Sequence, residues 1–331
     1  MKILVTGSEG FIGSHLTERL VLEGHQVVAF IQYNSFGRSG WLSDLHEEQI
    51  SQVDFFFGDI RDAGRVQQAM EGIDAVFHLA ALIGIPYSYI SPLSYLETNV
   101  VGTLNVLEAA RRESVDLFVQ TSTSEVYGTA QFVPMKEEHP LSGQSPYSAS
   151  KIASDQLAYS YYSSFDLPVV TLRPFNVFGP RQSSRAVIPT IIRQVLAGQN
   201  EIELGNIHAT RDMNYVDNTV DAFIRLIDKK EVFGETINIG SGEERSVETI
   251  AKEIFRVLGK KVKITSSDTR IRPANSEVER LVSDSSKARE LLDWGSHNPG
   301  FISFEEGLQK SIDWVARNSD YEQSDPRNYR I

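Results

Sequence analysis

The chain has 331 residues, of which 41% are hydrophobic, so it can bury a full core in one large domain or two joined domains. Its formal net charge of −12 argues against a nucleic-acid-binding or anionic-membrane surface, so an anionic ligand needs a local cluster of Arg and Lys. The absence of cysteine excludes disulfides, thiolate nucleophiles and cysteine-based zinc sites. No stretch approaches the ~18 uninterrupted apolar residues of a membrane span. Because Met1 leads into only a short apolar run, we expect a cytoplasmic protein.

The first half of the chain alternates short apolar runs with helical patterns. The runs are short enough to suit buried parallel strands; they are Ile3–Thr6, Val27–Ile31, Val53–Phe57, Ala75–Leu79, Leu117–Ser122 and Val169–Leu172. Between them, Ile12, Leu16 and Leu20 repeat at every fourth position, and a second apolar face spans residues 100–110. Strands that alternate with helices predict an α/β fold, a Rossmann-type doubly wound parallel sheet with helices on both faces.

After Leu172, prolines and glycine-rich turns divide the chain into shorter elements. We predict a helix at 216–227, a strand at 236–239 that rejoins the sheet, and a helix at 246–258 capped by Ser246. The sequence thus predicts a Rossmann domain of residues 1–172 with a returning segment of about 213–240. Residues 173–212 and 241–331 would form a smaller C-terminal α/β substrate domain.

A glycine-rich turn follows the first predicted strand directly and opens the first predicted helix. Glycines there permit a tight turn and let backbone N–H groups approach a pyrophosphate, while the helix N-terminus supplies positive potential. The spacing is G-x-x-G-x-x-G rather than G-x-G-x-x-G. Its position at the start of a βαβ series predicts a dinucleotide site formed by Gly7, Gly10, Phe11, Ile12 and Gly13.

The end of the second strand bears on the choice of cofactor. An acid there usually binds the ribose 2′-hydroxyl of NAD, whereas a basic residue accommodates the phosphate of NADP. The segment from 31 to 38 reads IQYNSFGR and has no acid at the expected place. Its candidate contacts, Gln32, Asn34, Ser35 and Arg38, suit NAD or NADP, and we favour NAD.

Further cofactor contacts are predicted after the third and fourth strands. Asp59 and Ile60 follow the third strand, where an adenine edge would bind; the alternative for Asp59 is a turn or helix-capping role. After the fourth strand, close backbone approach is predicted for Leu79, Ala80 and Ala81. His78 lies inside that strand, where a hydrogen-bonded core histidine is expected. The histidines show no metal-ligand spacing, so no metal site is predicted.

Tyr147 and Lys151 are separated by four positions, which on a helix places them on one face. A free tyrosine has a pKa of about 10, too high for a base at neutral pH. A nearby ammonium and the positive nicotinamide ring of an oxidised cofactor would favour the phenolate and lower that pKa. Lys151 would also bind the nicotinamide ribose. A polar segment, Thr121 to Gly128, ends the fifth strand, and ligands bind at the carboxyl ends of parallel strands in open α/β sheets.

Together these motifs resemble the extended short-chain dehydrogenase/reductases, and more closely their nucleotide-sugar epimerase and dehydratase branch. The resemblance runs from Met1 to about Trp314 and includes Asn99, which it implies is a cofactor contact. Its later motifs are RPFNVFGP at 173–180, RDMNYV at 211–216, NIG at 238–240 and RP at 272–273. It implies a homodimer in which two helices, near 93–112 and 147–164, pair across a two-fold axis.

The residues at 123–125 point to one activity within this branch. Thr123-Ser124-Glu125 matches the Thr-Ser-Glu pattern of GDP-mannose-type dehydratases, whereas related epimerases have small or unreactive residues at the last two positions. The resemblance implies that Tyr147 deprotonates the sugar O4, Thr123 bonds to it, and Glu125 removes the C5 proton as a general base. Ser124 replaces the Asp that protonates the leaving hydroxyl in glucose-type enzymes, so that acid is Glu125 or a bound water.

Substrate contacts also follow from the resemblance. Asn176 is expected at the sugar or its diphosphate, and Arg211 and Arg272 at the diphosphate or ribose, because guanidinium groups bind phosphate oxygens in pairs. Arg185 is a further candidate, and the alternative to a binding role for Glu277 and Arg280 is the start of a salt-bridged helix. The segments 33–37, 40–42, 121–131 and 272–280 most resemble NAD-dependent 4,6-dehydratases of legionaminic-acid-type pathways, which act on GDP- or UDP-N-acetylglucosamine.

Three alternatives remain open at this stage. An epimerase would use the same cofactor, Tyr147 and Lys151 without depending on Glu125. A 5,6-dehydratase would release a 5,6-alkene instead of a 4-keto product. A regulatory or scaffold protein would keep the fold without catalysis, although an intact set of Tyr147, Lys151 and Glu125 argues against it.

Overall fold

The computed structural model describes residues 1–266 and 273–318. In chain order its strands are β1 (Lys2–Thr6), β2 (Gln26–Gln32), β3 (Val53–Gly58), β4 (Ala75–His78), β5 (Leu117–Thr121), β6 (Val169–Pro174), β7 (Asn176–Phe178), β8 (Glu201–Leu204), β9 (Thr210–Tyr215), β10 (Thr236–Ile239), β11 (Glu244–Ser246), β12 (Lys263–Ser266) and β13 (Arg280–Leu281).

The helices are interspersed with these strands. They are α1 (Phe11–Leu22), α2 (Glu47–Ile50), α3 (Ala63–Met70), α4 (Ile85–Ile90), α5 (Pro92–Tyr95), α6 (Thr103–Glu113), α7 (Pro146–Phe165), α8 (Val187–Leu196), α9 (Val216–Ile224), α10 (Val247–Val257), α11 (Ser286–Leu292) and α12 (Phe304–Arg317). A π-helical segment, Leu96–Gly102, leads into α6, and short 3-10 turns occur at Gly40–Asp44, Ser124–Tyr127, Lys230–Val232 and Ala274–Ser276. Among the residues described, no helix combines the length and apolar character needed to cross a membrane.

Seven strands form one parallel sheet in the order β10-β6-β5-β4-β1-β2-β3. The strand order reverses beside β1, because β2 and β3 extend the sheet on one side and β4, β5 and β6 on the other. This is the doubly wound Rossmann arrangement, so the predicted fold class is confirmed. Ligands of such sheets bind outside the carboxyl ends of the strands at the reversal, which here lies between β1 and β4.

Alternating side chains of β1 explain the two helical layers. Ile3 and Val5 belong to a core that includes Leu16 of α1 and Phe223 of α9, whereas Leu4 belongs to a second core on the opposite face. That second core is built with apolar residues of α3, α6 and α7. Because successive side chains of a strand point to opposite faces, one apolar run buries both faces of the sheet.

The later part of the chain contributes to the main sheet and also builds a smaller strand group. β10 has the bounds predicted for it and pairs with β6 in parallel. β9 pairs with β7 and β13 in parallel and with β11 in antiparallel, while β8 pairs with β12. Ser246 caps α10 by accepting a hydrogen bond from the Thr249 N–H, as predicted.

Candidate active site

Most of the predicted site residues that the structure describes lie at one edge of the sheet. The strands of the main sheet run parallel, so their carboxyl ends meet there. The segments that follow these ends contain the glycine-rich turn after β1, Gln32 after β2, Asp59 after β3, Leu79 after β4 and Thr123 after β5. Sequence positions far apart along the chain are thereby brought to one crevice, the place where a ligand of this fold binds.

The glycine-rich turn packs too closely for side chains at two of its glycines. A Cβ at Gly13 would lie 2.1 Å from the Gly7 carbonyl oxygen. Gly7 has φ +70, and a Cβ there would lie 2.9 Å from the Ala80 backbone. Helix α1 begins at Phe11 with no side-chain cap, so the N-cap residue leaves the first N–H groups of the helix available to a ligand. This cradle fits a pyrophosphate.

Thr6 joins the two strands that flank the reversal point. Its hydroxyl accepts hydrogen bonds from the N–H groups of Leu79 and Ala80, each at 3.1 Å, and lies 2.8 Å from Nδ1 of His78. His78 also bonds to Thr103 at 3.0 Å, and burial lowers its pKa to about 3. His78 is therefore a hydrogen-bonded core histidine, as predicted.

The segment after β2 forms a loop closed by its own asparagine. The Asn34 side chain donates to the Arg38 carbonyl at 2.9 Å and accepts from the Arg38 N–H at 3.1 Å. Gln32, Ser35 and Arg38 are exposed, and the Arg38 guanidinium lies 5.5 Å from the centre of the Phe36 ring. Roles of these residues towards a cofactor stay predictions.

Asp59 pairs with a neighbouring arginine at the end of β3. Arg61 donates to Asp59 from Nη2 at 2.6 Å and from Nε at 3.0 Å, and this hydrogen bonding holds the pKa of Asp59 below its usual range. Ile60 is buried against Gly102, where a Cβ would lie 2.6 Å from the isoleucine. These contacts are those of an aspartate that stabilises a turn, and the contact of Asp59 to adenine stays a prediction.

Asn99 links the loop after β4 to α7. Its side chain accepts from the Leu82 N–H at 2.8 Å and donates to the Leu82 carbonyl at 2.9 Å. It also donates to the Ser150 hydroxyl at 2.9 Å. The π-helical segment that carries Asn99 thus positions the backbone beyond Ala81, on the side of the crevice where Tyr147 and Lys151 lie.

Helix α7 holds Tyr147 and Lys151 at buried positions near its start. The helix is opened by a capping box in which Ser145 and Ser148 each accept the other's N–H, and Pro146 occupies its first turn. Lys151 Nζ donates to the Thr121 carbonyl at 2.6 Å, and burial lowers its pKa to about 8. The lysine is therefore fixed against the end of β5.

Taken together, the protein's own groups raise the pKa of Tyr147. Burial raises it well above its usual value and the Glu125 carboxylate raises it further, while a hydrogen bond with Thr123 lowers it. The Lys151 ammonium donates to the Thr121 carbonyl, and the lowering of the pKa that we expect from this ammonium together with an oxidised nicotinamide ring stays a prediction. Phenolate formation therefore needs further positive charge, which an oxidised nicotinamide ring carries.

Thr123, Ser124 and Glu125 lie in a tight turn immediately after β5. Thr123 caps the turn by accepting the Glu125 N–H at 3.3 Å, and Ser124 and Glu125 are both buried. Glu125 is 8% exposed and lies close enough to Tyr147 to affect the pKa of its phenol. The turn therefore places the Thr123 hydroxyl and the Glu125 carboxylate near the Tyr147 phenol of α7.

A buried polar network behind this turn was not predicted from the sequence. Asp155 accepts from Ser122 at 2.6 Å and pairs with Arg173 at 3.2 Å. Arg173 also donates to the Tyr127 hydroxyl at 3.0 Å, which donates to Asn238 at 2.7 Å. Asp155 follows Lys151 by four positions, so the helical repeat that joined Tyr147 to Lys151 would have identified it.

The predicted substrate contacts have differing surroundings. Asn176 opens β7, and its Oδ1 is buried with no hydrogen-bond partner in the described part of the chain. Arg211 is buried and lies 3.7 Å from Glu277. Arg185 is exposed, and its charge opposes the burial that raises the pKa of Tyr95. Arg272 lies outside the described residues.

One expectation about the region after Pro273 was wrong. Glu277 and Arg280 do not start a salt-bridged helix, because residues 280–281 form β13. Glu277 faces Arg211 instead, and Arg280 pairs with Glu244 at 2.6 Å. The pairing of β13 with β9 brings both residues next to partners distant in sequence.

The similarity of the chain to known proteins identifies its family. The protein-family model of GDP-mannose 4,6 dehydratase matches residues 4–311. The chain is 33% identical to the UDP-glucose 4-epimerase of Mycolicibacterium smegmatis over 96% of this chain and 100% of that protein. It is 32% identical to the UDP-N-acetyl-alpha-D-glucosaminuronate decarboxylase of Bacillus cytotoxicus over 95% of this chain and 97% of that protein.

Solved structures agree. The dTDP-glucose 4,6-dehydratase from Bacillus anthracis in complex with NAD matches with a TM-score of 0.83 and 28% identity, covering 98% of this chain and 99% of that chain. Further solved structures of comparable similarity also hold NAD, which supports NAD as the cofactor. Because the family match spans residues 4–311 and the relatives align over nearly their whole length, the chain belongs to the extended short-chain dehydrogenase/reductase family of nucleotide-sugar epimerases and dehydratases.

Proposed function

We propose that this chain is an NAD-dependent nucleotide-sugar 4,6-dehydratase that acts on UDP- or GDP-N-acetylglucosamine. The observation that carries the proposal is the placement of Glu125, a buried carboxylate beside the Tyr147 phenol in the turn after β5. Removal of water from a sugar needs an acid–base group in addition to the pair that oxidises C4. A buried glutamate at this position supplies that group, which a 4-epimerase does not need.

The proposed reaction begins at the sugar C4. Tyr147 takes the proton of the O4 hydroxyl as hydride leaves C4, and Thr123, which bonds to Tyr147, also bonds to this oxygen. NAD, when bound, supplies the chemistry that takes up this hydride and later gives it back. The resulting 4-ketone makes the C5 proton acidic, and Glu125 removes it.

Elimination then completes the change without net oxidation. The C6 hydroxyl leaves as water, protonated by Glu125 or through a bound water beside Ser124. Hydride returns to C6 and a proton from solvent to C5, which balances the proton that Tyr147 took from O4 and releases, so the product is a 4-keto-6-deoxy sugar that has lost one water. Glu125 can serve as base and then acid because a single group can give back the proton that it has taken.

The cofactor contacts are assigned by position. The pyrophosphate would lie on the turn of Gly7, Gly10, Phe11, Ile12 and Gly13, where Gly7 and Gly13 leave no room for side chains. Lys151 would hold the nicotinamide ribose from its place on the Thr121 carbonyl. The remaining proposed contacts are Gln32, Asn34, Ser35, Arg38, Asp59, Ile60, Leu79, Ala80, Ala81 and Asn99.

The substrate would bind between the two parts of the chain. The Oδ1 atom of Asn176 is buried and has no hydrogen-bond partner among the described residues. Such an atom suits a contact to the sugar or its diphosphate. Arg211, Arg185 and Arg272 would offset the chain's negative charge at the diphosphate. We also propose the division into residues 1–172 with about 213–240, and 173–212 with 241–331; the pairing of β10 with β6 supports the return of the chain.

The preference for an N-acetylated sugar rests on resemblance. Residues 33–37 and 40–42 resemble the 4,6-dehydratases of legionaminic-acid-type pathways, and one relative is named for an N-acetylglucosamine-derived uronate. The direct test is incubation of the purified protein with UDP- and GDP-N-acetylglucosamine, followed by product mass spectrometry and NMR. A product lighter by one water supports dehydration and identifies the nucleotide. If the NMR spectrum shows a 5,6-alkene, the enzyme is a 5,6-dehydratase and the proposed 4-keto product is wrong. An unchanged product mass would contradict dehydration.

Glu125→Gln tests the role of the carboxylate. Loss of a general base lowers the rate by about 100- to 10,000-fold, so we expect dehydration to fall by that factor. Oxidation at C4 should persist, so the absorbance of reduced nicotinamide should accumulate, and deuterium exchange at C5 in D₂O should be lost. The matched control is Glu138→Gln, because Glu138 is exposed and lies outside the site.

A 4-epimerase is the second candidate, because a 4-epimerase is among the relatives that align over nearly the whole chain. It would share Tyr147, Lys151 and Thr123 but would not depend on Glu125. Glu125→Gln with unchanged turnover, together with a new sugar stereoisomer of the same mass, would establish epimerisation and remove the dehydratase proposal.

A further inference from the structure

The acid that Rossmann proteins usually place at the end of the second strand is missing from its expected position. Strand β2 ends at Gln32, and residues 32–38 contain no Asp or Glu. In this fold such an acid accepts a hydrogen bond from the adenosine ribose hydroxyl of NAD. The structure shows a carboxylate at the same place that comes from another part of the chain.

Glu9 lies in the glycine-rich turn after β1, between Gly7 and Gly10. Its Oε1 accepts the Gln32 N–H at 2.9 Å, so the carboxylate lies beside the last residue of β2. Its Oε2 is buried and has no hydrogen-bond partner among the residues that the structure describes. A buried carboxylate oxygen without a donor is costly, which indicates that a ligand group completes the site.

The surrounding backbone fixes Glu9 in this position. The Trp41 N–H donates to the Glu9 carbonyl at 3.1 Å. Gly40 has φ +57, and a Cβ there would lie 2.5 Å from that carbonyl and 2.8 Å from the Glu9 Cβ. The loop after β2 therefore closes onto the glycine-rich turn, and a glycine at position 40 is what permits this contact.

Charge matters at this position as well as shape. Burial raises the pKa of Glu9, while the hydrogen bond from the Gln32 N–H lowers it. The exposed Arg38 stands on the same loop, but its guanidinium lies over the Phe36 ring, and its backbone is bonded to Asn34. The acidic group beside the end of β2 is thus built into the turn itself.

We propose that Glu9 determines the cofactor preference, by accepting a hydrogen bond from the adenosine ribose hydroxyl of NAD and repelling the 2′-phosphate of NADP. The inference rests on the proposed function for its cofactor. It assigns the missing acid to the glycine-rich turn rather than to the loop after β2. A carboxylate beside a phosphate places two negative charges in contact, which disfavours NADP.

The test is titration of nucleotide-free protein with NADH and NADPH, followed by nicotinamide fluorescence. Wild-type protein should bind NADH more tightly than NADPH. Glu9→Gln keeps the side-chain shape and an acceptor for the Gln32 N–H. In this variant we expect the Kd for NADPH divided by the Kd for NADH to fall by about 10- to 100-fold, the range for a hydrogen bond to a charged group. Glu23→Gln is the matched control, since Glu23 pairs with Arg19 at the far end of α1.

The outcomes separate the two proposals. A Kd ratio in Glu9→Gln within twofold of the wild-type ratio overturns the role of Glu9 while NAD binding stands. Wild-type protein that binds neither nucleotide contradicts the proposed function itself. Circular dichroism checks the fold of the variant. If Glu9→Gln does not fold, wild-type protein still decides, because equal affinity for ADP-ribose and its 2′-phosphorylated form would overturn the inference.

Discussion

The Lys151 ammonium is buried, and we therefore predict that the activity falls at alkaline pH. Burial lowers its pKa to about 8, so the charged form is lost as the pH rises through that value. The proposed oxidation needs this charge beside Tyr147, whose pKa the protein raises. We therefore expect kcat/KM to fall as the pH rises above about 8.

Lys151→Arg provides the comparison for this limit. A guanidinium keeps its charge in proteins, so the variant should be slower yet lose its alkaline limb or move it to higher pH. The measurement is the pH dependence of kcat/KM for both proteins. An alkaline limb at the same pH in both would assign the limit to another group.

Single residues differ in how far the sequence could predict them. Helical spacing predicts that Tyr147 and Lys151 share one face, and the resemblance to a dehydratase motif singles out Glu125. Glu9 was missed because its position depends on Gly40 and Trp41, which reach the turn only after the chain has crossed β2. Spacing along the chain shows contacts within one element, but not this contact between two loops.

At the scale of elements, apolar runs predicted the main sheet well. Six runs in the first part of the chain became β1 to β6, because a strand buried on both faces needs apolar residues throughout. The pairing of β9 with β7, β11 and β13 was not predicted, since these short strands join segments separated by long intervals. The π-helical segment that carries Asn99 also lacks a sequence signal of its own.

The joint between α7 and β6 is a buried ion pair whose energy can be tested. Asp155 on α7 and Arg173 on β6 are both buried, and Arg173 donates to Asp155 at 3.2 Å. Asp155→Leu leaves a buried guanidinium without its charge partner, which costs about 3–5 kcal/mol. We expect the double variant Asp155→Leu/Arg173→Met to lose less stability than Asp155→Leu alone, because both charges are removed together.

Urea unfolding of the wild type, both single variants and the double variant gives the coupling energy of the pair. A double variant that loses the sum of the two single losses would show that the residues are independent. Ser160→Ala serves as a control on α7, since its hydroxyl bonds only to the Leu157 carbonyl of the same helix in the described structure.

At the scale of the molecule, the sequence predicted which edge of the sheet forms the site but not how its far side is built. The strand ends supply the cofactor side, and their order follows from the βαβ series. Arg211 and Asn176 come from β9 and β7, whose pairing depends on tertiary packing. The proposed substrate contacts therefore follow from motifs as residue types, and their positions follow only from the structure.

The surface of the molecule also supports the expected homodimer, which we retain as a proposal. The region around α6 and α7 exposes apolar side chains that a monomer would leave in water; they are Leu93, Leu96, Val101, Leu104, Tyr159, Tyr162 and Phe165. α6 packs against α7, so the two helices form one surface. A second copy placed across a two-fold axis would bury the same apolar surface on both chains.

Leu104→Glu should disrupt this dimer because it places a charge in an apolar interface. Leu104 is 37% exposed, and the matched control Leu196→Glu changes a leucine that is 43% exposed on α8, away from this surface. Sedimentation equilibrium should give twice the 37.1 kDa chain mass for wild type and Leu196→Glu. For Leu104→Glu we expect a dissociation constant raised by at least about tenfold, since a tenfold change corresponds to ~1.4 kcal/mol. A monomeric wild type, or a Leu104→Glu variant as dimeric as Leu196→Glu, would mean that these helices face solvent.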